Sequence, residues 1–422
     1  MGLKALFAIL IVTVLVTSSW AATETVLLSF NNRDGAYPDG AVIFDAAGNL
    51  YSTTPYGGDE SCTGGCGTVF ELSPKPGGGW TETVVHRFTN SAKDGHYPYA
   101  GLVFDPAGNL YGTTGFGGSG PCKGGCGTVF ELTPKTGGGW TENVLHSFTG
   151  KDGRFAEAAL ILDTSGDLYG TTPVGGAYGY GTVFELMRKS DGGWAAKVLH
   201  NFKGGYGSYG SLVFDNAGNL YGTTGGGGAG YNYGTVFELS PEAGGVWKET
   251  VLHSFNGNDG QEPFAGVIFK KGALYGTTLS GGTYGGGTVF ELVRKADGRW
   301  TEKVLYSFCA SFFQSCPGGS GPQAGLIFDA TGNLYGTTAS GGSTNCAEVG
   351  CGVVFELIPT GGGGWMEKLV YSFDANSNDG FIPGASLIID TAGNLYGTTR
   401  DGGVGSQHSY GTVFEITPAS LS

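Results

Sequence analysis

Hydrophobic residues along this chain fall in short runs where apolar and polar positions alternate, each closed by glycine or by Asp, Asn or Pro. No stretch holds the 3.6-residue apolar period of a helix at useful length, so the pattern predicts strands joined by tight turns. The runs themselves recur. One unit, G-N-L-Y-G-T-T with small variations, starts at Gly48, Gly108, Gly166, Gly218, Gly272, Gly332 and Gly393. A second, G-T-V-F-E-L, starts at Gly67, Gly127, Gly181, Gly234, Gly287, Gly352 and Gly411. A spacing of roughly 52 to 61 residues marks a radial or solenoidal β architecture.

Residues 100–148 show one repeat in full. Ala100 to Asp105 reads as a strand ending in an Asp-Pro-Ala-Gly turn, where Asp bonds the backbone ahead and Gly takes positive φ. Asn109 to Thr114 returns, Gly127 to Leu132 forms a third strand, and Trp140 opens a fourth that runs to Phe148. Four antiparallel strands in a meander make one propeller blade. The chain ends settle the count. The last repeat stops after its third strand, Gly411 to Ile416, while Glu24 to Phe30 is a stray fourth strand. The N-terminal strand therefore completes the last blade and removes two exposed edges. The expected fold is all-β: a seven-bladed β-propeller of four-stranded blades in one domain, residues 22–422.

Composition changes the picture at three points. Of 422 residues, 83 are Gly, yet 40% are hydrophobic and 13% aromatic, too apolar for a disordered chain. Residues 1–21 read as a secretory signal peptide: Lys4, an apolar core from Ala5 to Val16, and a small-x-small site at Ser19-Trp20-Ala21. Eight cysteines fall in local pairs, Cys62/Cys66, Cys122/Cys126, Cys309/Cys316 and Cys346/Cys351. On an exported chain these read as disulfides; zinc held by the two C-x-G-G-C loops is the rival. A net charge of −14 excludes nucleic acid and anionic membrane surfaces as partners. No membrane insertion after signal cleavage, no cofactor and a monomer are expected, with a secreted or periplasmic location.

The repeat, with G-N-L-Y-G-T-T, G-T-V-F-E-L and G-G-G-W-T-E-x-V-L-H-S-F, resembles the GloVer (Gloeo/Verruco) tandem repeat of bacterial secreted proteins over essentially the whole mature chain. Members carry differing C-terminal anchoring segments. Here the sequence ends at Ser422, and the resemblance implies an exported bacterial protein without surface attachment. It implies no catalytic residues.

In such a meander, the loops between the second and third strands share one face with those linking blades. That face carries the length variation, the cysteines and most unrepeated aromatics, so it is the expected binding surface. Just before the Gly of G-T-V-F-E-L stands Cys66, Cys126 or Cys351 in the longest loops, and Tyr180, Tyr233 or Tyr410 in three others; Gly286 breaks the pattern. A disulfide or a packed tyrosine closes each loop on this reading, or else the tyrosines, with Phe116, Tyr178, Tyr231 and Tyr284, stack sugar rings. Nearest the axis stand Tyr37, Asp39, Tyr97, Tyr99, Phe155, Glu157, Tyr206, Tyr209, Glu262, Phe264 and Phe381, which are the candidate ligand-binding residues, with rim packing between blades as the alternative.

Repetition removes most other candidates. His86, His146, His200 and His253 share a fourth-strand position with Leu28, Tyr306 and Tyr371, which reads as packing. His96 and His408 have no nucleophile motif around them. One Glu per blade, from Glu71 to Glu415, cannot be a unique general acid and should bond a neighbouring strand or turn. Asp-Gly recurs at Asp34, Asp94, Asp152, Asp259 and Asp379, and even the loop from Asp374 to Gly380 fits turn chemistry better than calcium. The leading expectation is a non-enzymatic extracellular protein binding a glycan or protein. A polysaccharide-active enzyme using Asp39, Glu157 and Glu262 is the alternative, and a structural envelope protein the third.

Overall fold

The structure, a computed structural model, describes residues 22–228, 232–309, 316–346, 349–375, 379–404 and 410–418. The signal-peptide reading of residues 1–21 lies outside them. Seven four-stranded antiparallel sheets are arranged as a seven-bladed β-propeller. The first blade is Ile43–Phe44, Leu50–Thr54, Thr68–Pro74 and Trp80–Arg87. The seventh takes Thr23–Ser29 as its outer strand, paired antiparallel with Thr412–Thr417, so the N-terminal strand closes the ring as expected.

The core lies between blades rather than at the axis. Seven buried clusters each join two consecutive blades. At every seam the phenylalanine that follows an outer strand meets the phenylalanine of the next V-F-E-L edge to face. Phe88–Phe130 and Phe373–Phe414 have centroids 5.1 Å apart, and Phe30–Phe70 repeats the 5.1 Å contact across the closure. Room for the ring is made inside its own blade. A Cβ on Gly112 would lie 2.4 Å from Phe130 Cζ, which explains glycine at that place in the second strand.

Each outer strand also carries a β-bulge, as between Val84 and His86, where the register against Phe70 and Val69 shifts. The extra residue, Val85 here and Leu145 in the next blade, turns an apolar side chain into the seam. The sequence reading has no bulge, because one inserted residue inside an apolar run leaves no compositional mark.

Threonine hydroxyls stitch the inner strands together. Thr53 Oγ1 donates to the Ala100 carbonyl of the next blade at 2.8 Å, and Thr113 to Ala158 at 3.1 Å. The equivalent bond is present at all seven seams, ending with Thr398 to Gly40 at 3.3 Å. This corrects the expected extent of the inner strands. Val103–Phe104 alone pairs in the ladder, since Ala100 uses its carbonyl on the neighbouring blade instead.

The second Thr of G-T-T pairs with the Thr of G-T-V-F, as in Thr54 with Thr68 at 2.9 Å, and this pair sits under the Asp-Gly turn. A Cβ on Gly35 would lie 2.4 Å from Thr54 Oγ1, so the recurrent Asp-Gly glycine is set by contact. The repeated Glu behaves as predicted: Tyr111 donates to Glu131 at 2.8 Å and Tyr275 to Glu291 at 2.6 Å. In the first and fourth blades Ser73 and Ser240 donate to that Glu instead.

Four disulfides join the expected pairs, Cys62–Cys66, Cys122–Cys126, Cys309–Cys316 and Cys346–Cys351. Each closes a small loop, worth about 2 kcal/mol on the chain-entropy model. Reduction is expected to add two hydrogens per disulfide to the intact mass and to leave the propeller folded, checked by mass spectrometry and circular dichroism. Deleting Thr23–Ser29 is expected to do the opposite. It bares the edge of Thr412–Thr417, and size-exclusion chromatography with calorimetry should show association and loss of the cooperative melt. Thr113→Val, which leaves the buried Ala158 carbonyl unsatisfied, is expected to cost about 1–3 kcal/mol in denaturant titrations.

Candidate functional site

On the loop-bearing face the chain enters six of the seven inner strands through a residue in the left-handed region; before the inner strand of the fourth blade the N–H of Gly207 donates to the Pro173 carbonyl at 3.1 Å instead. Tyr37, Tyr97, Phe155, Glu262 and Ile382 have φ between 56° and 61°, and Gly321 takes the sixth such place at 68°. A backbone bond holds each one. The N–H of Tyr37 donates to the Tyr410 carbonyl at 2.7 Å, that of Tyr97 to Cys66 at 3.0 Å, and that of Glu262 to Tyr233 at 2.8 Å. The acceptor is always the residue before the Gly of G-T-V-F-E-L, so the position marked by Cys or Tyr fixes the next blade through its carbonyl. Bulky residues disfavour this backbone region, and its recurrence shows the turn is over-determined by these bonds.

Two residues beyond Tyr37, Tyr97, Phe155, Glu262 and Gly321 a side chain reaches the axis, Tyr209 does so two residues after Gly207, and Gly384 stands in that place after Ile382. Asp39, Tyr99, Glu157, Tyr209, Phe264 and Gln323 surround the mouth of a central cavity of ≈ 400 Å³. Below them the walls are small, with Ala41, Gly101, Gly266 and Ser386, because neighbouring inner strands come into backbone contact there. The lining has two carboxyl groups, three aromatic rings and one amide, and no Lys, Arg or His. Tyr209 and Phe264 meet edge to face at 5.3 Å, and the Tyr99 hydroxyl lies 3.1 Å from that of Tyr56.

Enclosure sets the charge state of the mouth. Asp39 is half-buried at the mouth, and the lost hydration pushes its pKa up to about 6; Arg400 pulls it down and Asp401 pushes it up. Burial, then the charge of Asp39, raises Glu157 to about 7. Tyr99 is also pushed up, first by burial and then by its bond to Tyr56.

Five of the eleven candidate residues therefore share the cavity: Asp39, Tyr99, Glu157, Tyr209 and Phe264. Gln323 completes the mouth. Its signal was present in the sequence as the residue after Pro322, the same place as Asp39 after Pro38. The other six stand farther out. Tyr37 packs against Tyr56 and Tyr410, Tyr97 against Tyr56 and Phe116, and Phe155 against Phe116 with Arg154 stacked on its ring. Glu262 accepts from Ser280 Oγ at 3.0 Å, and Phe381 pairs with Asp401 in a two-residue ladder. Tyr206 is exposed.

The aromatic contacts form an arc over the blade-seven to blade-three side of the face, while Tyr178, Tyr206 and Tyr284 are exposed. Of the expected loop-closing tyrosines, Tyr233 and Tyr410 pack into seams, but Tyr180 is 43% exposed. Tyr231 and His408 lie outside the described residues, as do positions 376–378 of the Asp374 loop.

The fourth-strand histidines do more than pack. His146 Nε2 lies 2.9 Å from Asp152, His253 3.1 Å from Asp259, and Tyr371 donates to Asp379 at 2.8 Å. A glutamate from the next blade faces most of these groups, as Glu302 faces His253 and Asp259. Burial and the neighbouring acid raise Glu24 to about 8 and Glu82, Glu142 and Glu302 to about 7. The sequence reading treated His and Asp separately and so missed this pairing across the blade-linking turn.

A family model described as the Gloeobacter/Verrucomicrobia repeat matches residues 13–141, 123–248 and 230–422. No curated protein matches the chain. Among solved structures, a gluconolactonase from Xanthomonas campestris is 13% identical with a TM-score of 0.37, over 69% of this chain and 79% of that one. PorZ, a surface component of the type-IX secretion system of Porphyromonas gingivalis, is 17% identical with a TM-score of 0.42, over 78% of this chain. This chain spans 42% of PorZ.

The buried glutamates give a pH prediction. Their folded pKa values lie above the unfolded value of 4.5, so their contribution is fully present below about pH 4.5 and lost as pH rises towards about 8. Asp152, lowered to about 2 by its bonds to His146 and Thr149, acts oppositely at more acid pH, and His96, His200 and His253, lowered by burial, act oppositely below about pH 6.5, but the glutamate shifts are the larger. The melting temperature is expected to fall from about pH 5 to about pH 8, and the triple variant Glu82→Gln, Glu142→Gln, Glu302→Gln to flatten that slope in scanning calorimetry.

Proposed function

The chain belongs to the Gloeobacter/Verrucomicrobia repeat family, and on that premise we propose that it is an exported, non-enzymatic binding protein that takes a glycan at the mouth of its central cavity. The observation that carries this reading is the mouth itself: the rings of Tyr99, Tyr209 and Phe264 line one ≈ 400 Å³ cavity together with Asp39, Glu157 and Gln323. A few polar groups among aromatic walls fix a ligand's orientation while the rings cover its apolar faces. Export is supported by the leader-like residues 1–21 and by four disulfides, which fit an extracellular or periplasmic setting. Among the described residues no helix is long and apolar enough to cross a membrane.

A second reading is favoured by one observation. Asp39 and Glu157, raised to about 6 and about 7, share the cavity, and the charge of Asp39 acts on Glu157, as an acid and a base of a glycan-cleaving enzyme would. Glu262 has no part in it, being bonded to Ser280 outside the lining.

A panel of polysaccharides measured by calorimetric titration tests both readings. Tyr99→Ala and Phe264→Ala are expected to weaken binding of any hit at least about tenfold, or about 1.4 kcal/mol. Lys75→Ala, on the opposite face, is expected to leave it unchanged. Absence of any bound polysaccharide overturns the glycan reading. Release of reducing ends by the wild type, lost in Asp39→Asn and Glu157→Gln, would replace binding with hydrolysis.

A further inference from the structure

Within this binding reading, on which the inference rests, the mouth has an unbalanced charge. Asp39 and Glu157 have no hydrogen-bond or ion-pair partner among the described residues, although both are half-buried. Carboxylates so enclosed are normally paired, because removal from water costs several kcal/mol per ion unless a counter-charge or hydrogen bonds replace it. Here the cavity side of both groups is open and its lining has no base. Arg400 acts on Asp39 from the rim, where it is exposed and outside the lining, and Asp401 beside it offsets that effect.

The aromatic walls point the same way. Tyr99, Tyr209 and Phe264 line the same cavity as the two carboxyl groups, and π faces attract cations as well as covering apolar surface. A neutral sugar asks for donors as well as acceptors. Besides Gln323 and the phenol hydroxyls, the mouth's polar side chains are carboxyl groups, which are acceptors once ionised. A net charge of −14 on the whole chain adds a field that draws cations toward this cleft.

We propose that the cavity mouth recognises an organic ammonium group, with Asp39 and Glu157 as counter-charges and Tyr99, Tyr209 and Phe264 as cation–π walls. The bound cation keeps both carboxyl groups ionised, so affinity rises as pH passes from about 5 to about 8. The groups whose charges act on Asp39 are Arg400 and Asp401, and Asp39 in turn acts on Glu157. The ammonium can belong to a quaternary amine or to an amino sugar, and the test separates these.

Calorimetric titrations with the intact mature chain would use choline and its neutral isostere 3,3-dimethylbutan-1-ol. A parallel pair would be a glucosamine oligomer and its N-acetylated counterpart near pH 6, where the amine is charged. In at least one pair the cation is expected to bind at least about tenfold tighter than its neutral partner. That preference should disappear in the double variant Asp39→Asn, Glu157→Gln and grow in Arg400→Gln. Circular dichroism and the melting curve of the double variant check its fold; if it does not fold, Arg400→Gln and the choline pH profile stand as the tests, and a flat profile with no gain overturns the proposal. Equal binding of cationic and neutral partners overturns the ammonium inference while leaving the glycan reading intact, as does a preference that survives the double variant. Failure of both pairs and of the polysaccharide panel overturns both.

Discussion

The seam between consecutive blades is the contact on which everything else in this propeller depends. Seven edge-to-face phenylalanine pairs and seven threonine-to-carbonyl bonds repeat the same joint around the ring. A single blade cannot bury its own apolar faces, because each core cluster takes half its residues from a neighbour. The last seam then has to be made by the two ends of the chain. Phe30 against Phe70 and Thr398 on Gly40 are chemically identical to the other joints, but the second spans 358 positions and the first starts from a strand paired with Thr412–Thr417. Closure therefore turns a row of local contacts into one cooperative structure.

A ring this strongly specified can hold unfavourable features at its centre. Tyr37, Tyr97, Phe155, Glu262 and Ile382 keep left-handed backbones because each N–H is tied to the preceding blade. Unpaired carboxyl groups at Asp39 and Glu157 are a second cost, offset by burial elsewhere. Strain and unpaired charge gathered at one mouth, on a scaffold otherwise regular in every blade, are what a site positioned by its fold looks like.

The repeat made the fold legible, since strand number, blade count and the role of Thr23–Ser29 all follow from counting copies. Part of the mouth was legible too. Asp39, Tyr99, Glu157, Tyr209 and Phe264 depart from repetition at a fixed distance before a strand that does repeat. Sequence could not separate them from Tyr37, Tyr97 or Phe155, two residues away, because which one faces the axis depends on a left-handed turn. Nothing in the composition of Tyr-Pro-Asp or Phe-Ala-Glu announces that turn; a bond to another blade creates it. Gln323 was passed over because an amide among Gly, Ser and Pro stands out neither as aromatic nor as acidic.

The outer seams show how one residue decides the chemistry of its neighbours. Two residues after the tryptophan of the outer strand stands Glu82, Glu142, Glu249, Glu302 or Glu367, with Glu24 at the equivalent place in the N-terminal strand; the third blade has Ala196. Where the glutamate faces an Asp, the two acids crowd each other: Asp34 and Asp379 are raised by burial, and Glu82 and Glu24 are raised further by those partners. Where Ala196 stands, His146 closes to 2.9 Å from Asp152, and the aspartate falls to about 2. A gap of ≈ 50 Å³ lined by His146, Asp152 and Ala196 marks the missing side chain. The same backbone thus carries facing acids at some seams and hydrogen-bonded histidine–aspartate pairs at others. The direction of each aspartate's shift follows its own surroundings: burial outweighs the hydrogen bonds at Asp34 and Asp379, whereas the bonds from His146 and Thr149 outweigh burial at Asp152.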